Sequence, residues 1–375
     1  MADDEKKERM DIMTLLEAER SRHMYRPGFG LFVHEDTKYP DNTWVAACMS
    51  GLNPDGPKAP PEGAYPLLGL VYDLIYCDIR TMMLFIPYVG AKYGTSMPMD
   101  KDFIETTLRF FAKMHLTCKR EQRADQNDFT RPFGKKYSLS CITEDGCRIV
   151  LMKQLRKVPT LKKLEELYET PAFGLCAQNF VQGSFMRRYM ELNSLDPWVK
   201  EIDFSFPKYE YVREYSNDYG LRNFVPGKII FPERTLSNGT LQPRKILMFC
   251  QMYMHFNSSL VRQADMEAEW DHVLNLVIRE ITHEQEKCTD VPLEISCVFV
   301  CEDRAAISKA KPLLVKRLFT DGEQLAHCLI TTEGLQEYVV NKGTISPLKA
   351  CFELRASEDG TSYGLGSCKK DYFKS

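Results

Sequence analysis

Runs of apolar residues predict the strands of this chain. The runs are 137–155 (YSLSCITEDGCRIVLMKQL), 228–233 (KIIFPE), 244–256 (RKILMFCQMYMHF) and 293–300 (LEISCVFV). In the third run, alternation puts Phe249 and Gln251 on one face and Cys250 and Met252 on the other. The last run is apolar almost throughout, which predicts a buried strand.

Three segments have the residue spacing of helices. They are 3–23, 99–116 and 266–287, and their apolar positions include Met10, Met13 and Leu16 in the first, Phe103, Leu108, Phe111 and Met114 in the second, and Trp270, Val273, Leu274, Val277 and Ile281 in the third. The third is predicted to pack on a sheet. The stripe of the first is thin, which favours an N-terminal arm lying in a groove on a neighbouring molecule.

Turn signals separate these elements. Asp145 and Gly146 form a tight-turn signal and predict a hairpin within 137–155, and the Gly- and Pro-rich segment 51–66 predicts a long loop. No regular strand–helix–strand alternation and no internal repeat is recognised. Strands with interspersed helices and long loops therefore predict an α+β protein, mainly antiparallel, built around a β-sandwich.

Composition indicates an ordinary globular chain. The 375 residues are 44% hydrophobic and 27% charged, with a net charge of −3. This near balance argues against binding to duplex nucleic acid, although a local groove could still be basic. The first ten residues are highly charged and the apolar runs are short, so we expect no secretory signal, no membrane span and a cytosolic or nuclear location.

Thirteen cysteines are scattered along the chain with no Cys-x-x-Cys pair, which argues against a zinc cluster. Most are expected to be small core residues, Cys297 among them. Cys301 has the same strand parity as Cys297, but the two positions are about 13 Å apart along a strand and cannot bond to each other.

The search for catalytic chemistry finds no strong pattern. His34, Glu35 and Asp36 are adjacent, and neighbours in a strand point to opposite faces, so a metal-dependent hydrolase is the weakest of the alternatives. His283 lacks the second histidine four residues later that a zincin needs. We therefore expect no enzyme activity, no metal and no cofactor.

The order of several segments carries a resemblance to a known family. The segments are 147–158 (CRIVLMKQLRKV), 189–209 (YMELNSLDPWVKEIDFSFPKY), 223–239 (NFVPGKIIFPERTLSNG), 255–259 (HFNSS), 270–280 (WDHVLNLVIRE) and 293–303 (LEISCVFVCED). Taken in this order they resemble the polyhedrin and granulin proteins of baculoviruses, which crystallise around virions to make occlusion bodies. The chain is similar to a remote member of that family, such as the occlusion protein of a nudivirus.

The resemblance implies a jelly-roll β-sandwich that assembles into trimers and then a lattice, with disulfides between subunits and no active site. It implies a virus-encoded structural protein whose partners are its own copies and the embedded virions, with no specific nucleic acid and no membrane. It divides the chain into an N-terminal helical arm (1–26), an extra region (27–114), the jelly-roll core (115–304) and a C-terminal extension (305–375). These two additional regions have no counterpart in the family.

The resemblance also implies a crystal that protects the virions near neutral pH and dissolves in alkali, which requires groups that titrate near pH 10. Tyrosine and lysine have reference pKa values of about 10 and 10.4. The candidate lattice contact gathers Lys208, Tyr209, Tyr211, Arg213, Tyr215 and Tyr219. An equally weighted interpretation is that these tyrosines anchor a core from a strand edge.

Two further sets of residues follow from the resemblance. Cysteines in polar surroundings are the candidates for intermolecular disulfides, namely Cys118, Cys147, Cys288 and Cys368. Lys119, Arg120 and Arg123 stand where the family carries a lysine-rich nuclear-targeting stretch. The rival hypothesis from another class is a viral nucleoprotein or capsid subunit that binds nucleic acid, and it predicts binding that weakens steeply with salt.

Overall fold

The computed structural model describes two compact units. The described residues are 64–74, 76–93, 100–123, 136–143, 146, 150, 172–193, 201–206, 208–210, 223–252, 263–320, 323–343, 346–357 and 362–369. The first unit draws on Met1–Gln122 and Lys136–Thr170, and the second on Arg123–Lys135 and Pro171–Ser375. The predicted N-terminal arm lies outside the described residues.

The first unit combines helices with a small sheet. Its elements are α1 (Ala64–Leu74), β1 (Tyr76–Cys77), α2 (Ile79–Tyr93), α3 (Lys101–Lys113), β2 (Thr117–Arg123) and β3 (Lys136–Ile142). The predicted helix over 99–116 is confirmed as α3, which begins after Asp100, whose side chain accepts a hydrogen bond from the Phe103 amide at 2.6 Å. The predicted loop is wrong at its end, because Ala64 already begins α1.

The predicted hairpin around Gly146 is not formed. β3 is the middle strand of a sheet with the order β1–β3–β2, so both of its edges are already paired. Gly146 and Val150, which the hairpin would place at the turn and in the returning strand, are helical. The turn signal at Asp145 and Gly146 therefore does not produce a hairpin, because β3 pairs with other strands of the small sheet.

The second unit is built on a seven-stranded mixed sheet. Its helices are α4 (Ala172–Asn193), α5 (Gln263–Lys287), α6 (Arg304–Leu318), α7 (Glu333–Lys342) and a 3-10 turn (Pro347–Ala350). Its strands are β4 (Asp203–Ser205), β5 (Lys208–Glu210), β6 (Asn223–Val225), β7 (Gly227–Phe231), β8 (Arg234–Thr235), β9 (Leu241–Gln242), β10 (Arg244–Met252), β11 (Leu293–Cys301), β12 (Phe319–Thr320), β13 (Glu323–Gln324), β14 (His327–Thr332), β15 (Phe352–Ala356) and β16 (Tyr363–Ser367). The large sheet has the order β16–β15–β14–β11–β10–β7–β4.

The centre of this sheet is parallel. β10 pairs with β11 and β11 with β14 in parallel, and the other four pairings are antiparallel. The α+β, mainly antiparallel prediction is confirmed at this level. The expectation of no strand–helix–strand units is wrong, because α5 and α6 are the two connections between parallel neighbours.

The jelly roll implied by the resemblance is not seen in the described residues, because a jelly roll consists of two antiparallel sheets and this sheet has a parallel centre. The predicted C-terminal extension, 305–375, contains β14, β15 and β16, which belong to the same sheet as β10 and β11.

Helices cover both faces of the sheet. On one face, α5 and α6 bury side chains that include Trp270, Val277 and Leu314 against Met248 and Phe299 of the strands. On the other face, α4 and α7 pack, so the unit has three layers. This explains why β11 is apolar along its length, since a strand covered on both faces has no solvent side.

The predicted strand faces are confirmed where they are described. Cys250 and Met252 lie in the cluster beneath α5, while Phe249 meets Phe185 of α4 edge to face with ring centroids 5.4 Å apart. The second contact shows that the odd-numbered residues of β10 face α4.

Candidate functional site

The most basic helix of the second unit is α6. It begins after Asp303, whose side chain accepts a hydrogen bond from the Ala306 amide at 2.7 Å. Its 15 residues include Arg304, Lys309, Lys311, Lys316 and Arg317 and no acidic residue. A helix with this composition presents a local positive surface even though the whole chain is slightly acidic.

The apolar side of α6 fixes which way its charges face. Ala306, Ile307, Ala310, Leu314 and Leu318 are buried against the sheet. The basic residues are therefore turned towards solvent or towards the helix flanks, where Lys316 and Lys309 are exposed. They are seven residues apart, so their backbones are separated by two turns, about 10 Å.

One of the basic residues is held by α5. The guanidinium of Arg317 lies 3.4 Å from an Asp271 carboxylate oxygen. This ion pair ties α6 to its neighbour α5. Arg304, Lys309, Lys311 and Lys316 are the other basic residues of the helix, and we name these four residues the basic face.

A buried ion cluster lies elsewhere on the same side of the sheet. Lys228 of β7 donates to Glu280 and, at 2.7 Å, to Glu284, and Lys287 reaches Glu284 at 3.3 Å. Burial raises the pKa of Glu284, but the hydrogen bond from Lys228 and the two ammonium charges outweigh this and hold its pKa below the ordinary value. The cluster fastens the C-terminal half of α5 to the sheet.

Polar residues are buried on the α4 side as well. Gln336 of α7 donates to Thr331 at 3.1 Å and to the Pro347 carbonyl at 3.0 Å, and it accepts from Ser184 of α4 at 3.0 Å. Thr331 in turn donates to the Ala350 carbonyl at 2.6 Å. These bonds satisfy the buried groups and join α4, α7 and the 3-10 turn.

α4 also carries two glutamines that are not satisfied in this way. Gln178 and Gln182 are both 0% exposed. Gln182 donates to the Ser205 carbonyl at 2.8 Å. No hydrogen-bond partner meets either side-chain polar atom of Gln178 or the Oε1 atom of Gln182 in the described structure.

A small cavity lies beside this layer, between α4 and α7. Its volume is about 20 Å³, which accommodates one water molecule. Arg187 and Arg188 at its wall are paired with Glu191 at 2.9 and 3.4 Å. These two arginines therefore share a single carboxylate on their own helix.

The predicted tyrosine contact can be located only in part. Lys208 and Tyr209 lie on β5, where they pair in register with Val225 and Phe224 of β6. Tyr211, Arg213, Tyr215 and Tyr219 lie outside the described residues. The structure thus neither assembles nor separates this set.

The predicted cross-linking cysteines differ in accessibility. Cys118 on β2 is exposed, Cys288 after α5 is half-buried and Cys368 after β16 is buried, while Cys147 lies outside the described residues. Of the described three, Cys118 is best placed to meet another chain and Cys368 worst. Lys119 is exposed on β2, and Arg120 and Arg123 belong to the same strand.

The remaining cysteines mostly belong to the cores. Cys297 and Cys301 are both fully buried on the face beneath α5 and α6, which confirms the core prediction for Cys297. Cys297 is in register with Cys328, and burial raises the pKa of the thiols of Cys301 and Cys328. Buried thiols of this kind are poor nucleophiles.

Of the residues considered for metal chemistry, only His283 lies within the described ranges. His34, Glu35 and Asp36 lie outside the described residues, and His283 is exposed on α5. Across the described ranges, no three His, Cys, Asp or Glu side chains are grouped in a way that could hold a metal ion. No described helix is both long enough and apolar enough to cross a membrane.

The sequence analysis did not identify the basic face of α6 or the buried glutamines Gln178 and Gln182. The run of basic residues without acids in 304–318 was a usable signal, but it lay in a region treated as an extension. The glutamines had no usable signal, because glutamine is common on exposed helix faces and only packing shows that these two are buried.

No protein-family model, no curated protein and no solved structure matches the chain.

Proposed function

We propose that the protein binds nucleic acid through the phosphate backbone, using the basic face of α6. The single observation that carries this proposal is the charge of that helix, which has five basic residues and no acidic one while its apolar side is fixed against the sheet. Lysine and arginine side chains on one solvent-directed face are the usual means of phosphate contact.

The spacing of the charges on the basic face favours the phosphate backbone of a nucleic acid over a small anion. The exposed pair Lys309 and Lys316 is spread along the helix rather than gathered around one point. Spread charges suit a polyanion with repeated phosphates. A binding mode of this kind is independent of base sequence and weakens steeply with salt.

The test is a binding titration with labelled 20-nucleotide single strands of DNA and RNA over a range of salt concentrations. Each lost phosphate contact reduces the slope of log K against log salt by about 0.7 for a single strand, so Lys309→Ala with Lys316→Ala should reduce it by about 1.4. Lys349→Ala is the matched control, because this exposed lysine lies on the 3-10 turn at the opposite face of the sheet. Wild-type protein that fails to bind at low salt, or a double variant that binds like the control, contradicts the proposal.

The second candidate function is the matrix of a viral occlusion body. It is supported by the sequence resemblance of several segments between residues 147 and 303, which follow one another in the same order as in the family. The near balance of 52 acidic and 49 basic residues also permits close packing of copies. The jelly-roll fold is part of this candidate and gains no support from the parallel centre of the sheet. Nuclear location, trimers, virion embedding and intermolecular disulfides belong to the same candidate.

Expression in insect cells followed by microscopy tests the matrix candidate. Crystalline bodies that persist at pH 7 and dissolve above about pH 10, where tyrosine and lysine lose protons, support it. Protein that stays dispersed at high concentration rules it out. Non-reducing gels of dissolved bodies then show whether Cys118 joins chains, since a monomer band alone excludes the disulfides.

A further inference from the structure

Ser308 places a hydroxyl group on the solvent side of α6. The residue is exposed, as is its neighbour Lys309. Its Oγ atom donates to the Arg304 carbonyl at 3.4 Å, which is a long and therefore weak hydrogen bond. Ser308 is the only hydroxyl-bearing residue of the helix. The helix that carries the basic face thus has a single position at which a phosphoryl group can be attached.

Two residues of the basic face flank this serine. Residues three and four apart are neighbours on the surface of an α-helix. Arg304 precedes Ser308 by four residues and Lys311 follows it by three, so the serine lies between them on one side of α6. Along the helix axis its backbone is about 6 Å from that of Arg304 and about 4.5 Å from that of Lys311. A phosphate on Oγ would therefore lie within reach of both cationic side chains.

Pro312 weakens the helix at the same residue. In an α-helix, the carbonyl of one residue accepts a hydrogen bond from the N–H group four residues later. The residue four positions after Ser308 is Pro312, which lies inside α6 and has no N–H group. The turn that carries the serine therefore lacks one helical bond. This lowers the free energy needed to open the turn and present the hydroxyl group to an enzyme.

We propose that Ser308 is a phosphorylation site that weakens binding by the basic face, and this effect rests on the proposed function. The phosphoryl donor is ATP, and the enzyme is a protein kinase whose acidic groove recognises the basic residues around the serine. Oγ bonds to the γ-phosphorus, the bond between that phosphorus and the bridging oxygen breaks, and ADP leaves. The hydroxyl proton is released. The product carries about two negative charges at pH 7 and three strong acceptor oxygens.

The attached phosphate would compete with nucleic acid for the same side chains. Arg304 and Lys311 would form charge-assisted hydrogen bonds to the phosphoserine oxygens, so they would no longer be available to an external phosphate. The added negative charge would also repel a nucleic-acid backbone. Phosphorylation is therefore expected to weaken binding while the apolar side of α6 stays packed on the sheet.

The first experiment tests the modification itself. The full-length protein is incubated with ATP and a protein kinase directed to basic sequences, and peptide mass spectrometry locates the phosphate. We expect phosphate at Ser308 in the wild type and none there in Ser308→Ala. Pro312→Ala restores the missing N–H group and should slow the reaction at Ser308. A native protein that is not phosphorylated at Ser308, or an equal rate in Pro312→Ala, contradicts the proposal.

The second experiment tests the effect on binding. Protein with phosphoserine incorporated at position 308 during synthesis is titrated with the labelled 20-nucleotide strands over a range of salt concentrations. Loss of two phosphate contacts should reduce the slope of log K against log salt by about 1.4. Lys349→Glu is the matched control, because it also changes the charge by about two units but lies on the 3-10 turn at the opposite face of the sheet. It should leave the slope unchanged.

The failure of this inference is distinguishable from the failure of the proposed function. Wild-type protein that does not bind nucleic acid at low salt contradicts the proposed function, and the effect of phosphorylation on binding fails with it. Wild-type protein that binds while the phosphoserine protein binds with the same slope contradicts only the role of Ser308. A slope that falls equally in Lys349→Glu also contradicts it, because the effect would then come from net charge alone.

Discussion

Lys228 shows how one buried charge is tolerated in the interior of the sheet. The residue is only 7% exposed, and its ammonium group lies between the carboxylates of Glu280 and Glu284. Removing one partner of a buried pair leaves an uncompensated charge, which costs more than the pair itself contributes. The importance of this lysine is not visible in sequence, where KIIFPE indicates only a strand.

We predict that Lys228→Met lowers the free energy of unfolding by about 3–5 kcal/mol at pH 7, measured by urea denaturation. Lys287→Met is the control, because its side chain is 52% exposed and a pair of this kind contributes about 1 kcal/mol or less. Equal losses for the two variants would contradict the assignment of Lys228 as the central partner.

The same variant has a predicted pH dependence. The pKa of Glu284 is lowered in the folded state. The stability that its ion pair with Lys228 contributes is therefore present above the ordinary pKa of 4.5 and disappears as pH falls through the folded pKa. The difference between wild type and Lys228→Met should therefore shrink on acidification below that value. A difference that stays constant or grows towards pH 3 would contradict this origin.

At the scale of elements, local periodicity predicted which segments form helices and which form strands. The helices α3 and α5 and the strands β7, β10 and β11 were all recognisable, because burial on one or two faces imposes the period of the element. Pairing was not recognisable in the same way. β10 and β11 are separated by α5 in the sequence, and the residue pattern of neither strand predicts that they pair in parallel.

The start of α6 gives the element-scale prediction. Asp303 caps the helix with its side chain, so Asp303→Ala should lower the free energy of unfolding by about 1 kcal/mol. Thermal or urea unfolding measures the loss. Asp290→Ala in the exposed turn after α5 is the control and should change stability by less than about 0.5 kcal/mol. A loss no larger than the control's would show that the cap is not stabilising.

At the scale of the whole molecule, the distribution of cysteines follows burial. Of the described cysteines, Cys118 is exposed and Cys288 half-buried, whereas Cys77, Cys141, Cys176, Cys250, Cys297, Cys301, Cys328, Cys351 and Cys368 are buried. Burial raises the pKa of the Cys77 and Cys351 thiols, which disfavours the reactive thiolate. The core cysteines thus behave as small apolar residues.

Labelling of the native protein with N-ethylmaleimide, followed by peptide mass spectrometry, should modify Cys118 first among these eleven. The buried cysteines should react only after urea unfolding, because their thiols are desolvated and inaccessible. Cys118→Ser serves as the control and should remove the fastest of these reactions. Modification of Cys297 or Cys328 at the rate of Cys118 in folded protein would contradict the burial pattern.

The main helices and strands and the core position of Cys297 could be predicted from local patterns, because apolar faces depend on neighbours within a few residues. The parallel centre of the sheet, the outward orientation of the α6 charges and the burial of Gln178 and Gln182 could be seen only in the folded chain. Each of these depends on which distant segments meet. Burial of apolar surface stabilises these contacts, but the residues involved are far apart in the chain, so no local pattern predicts them.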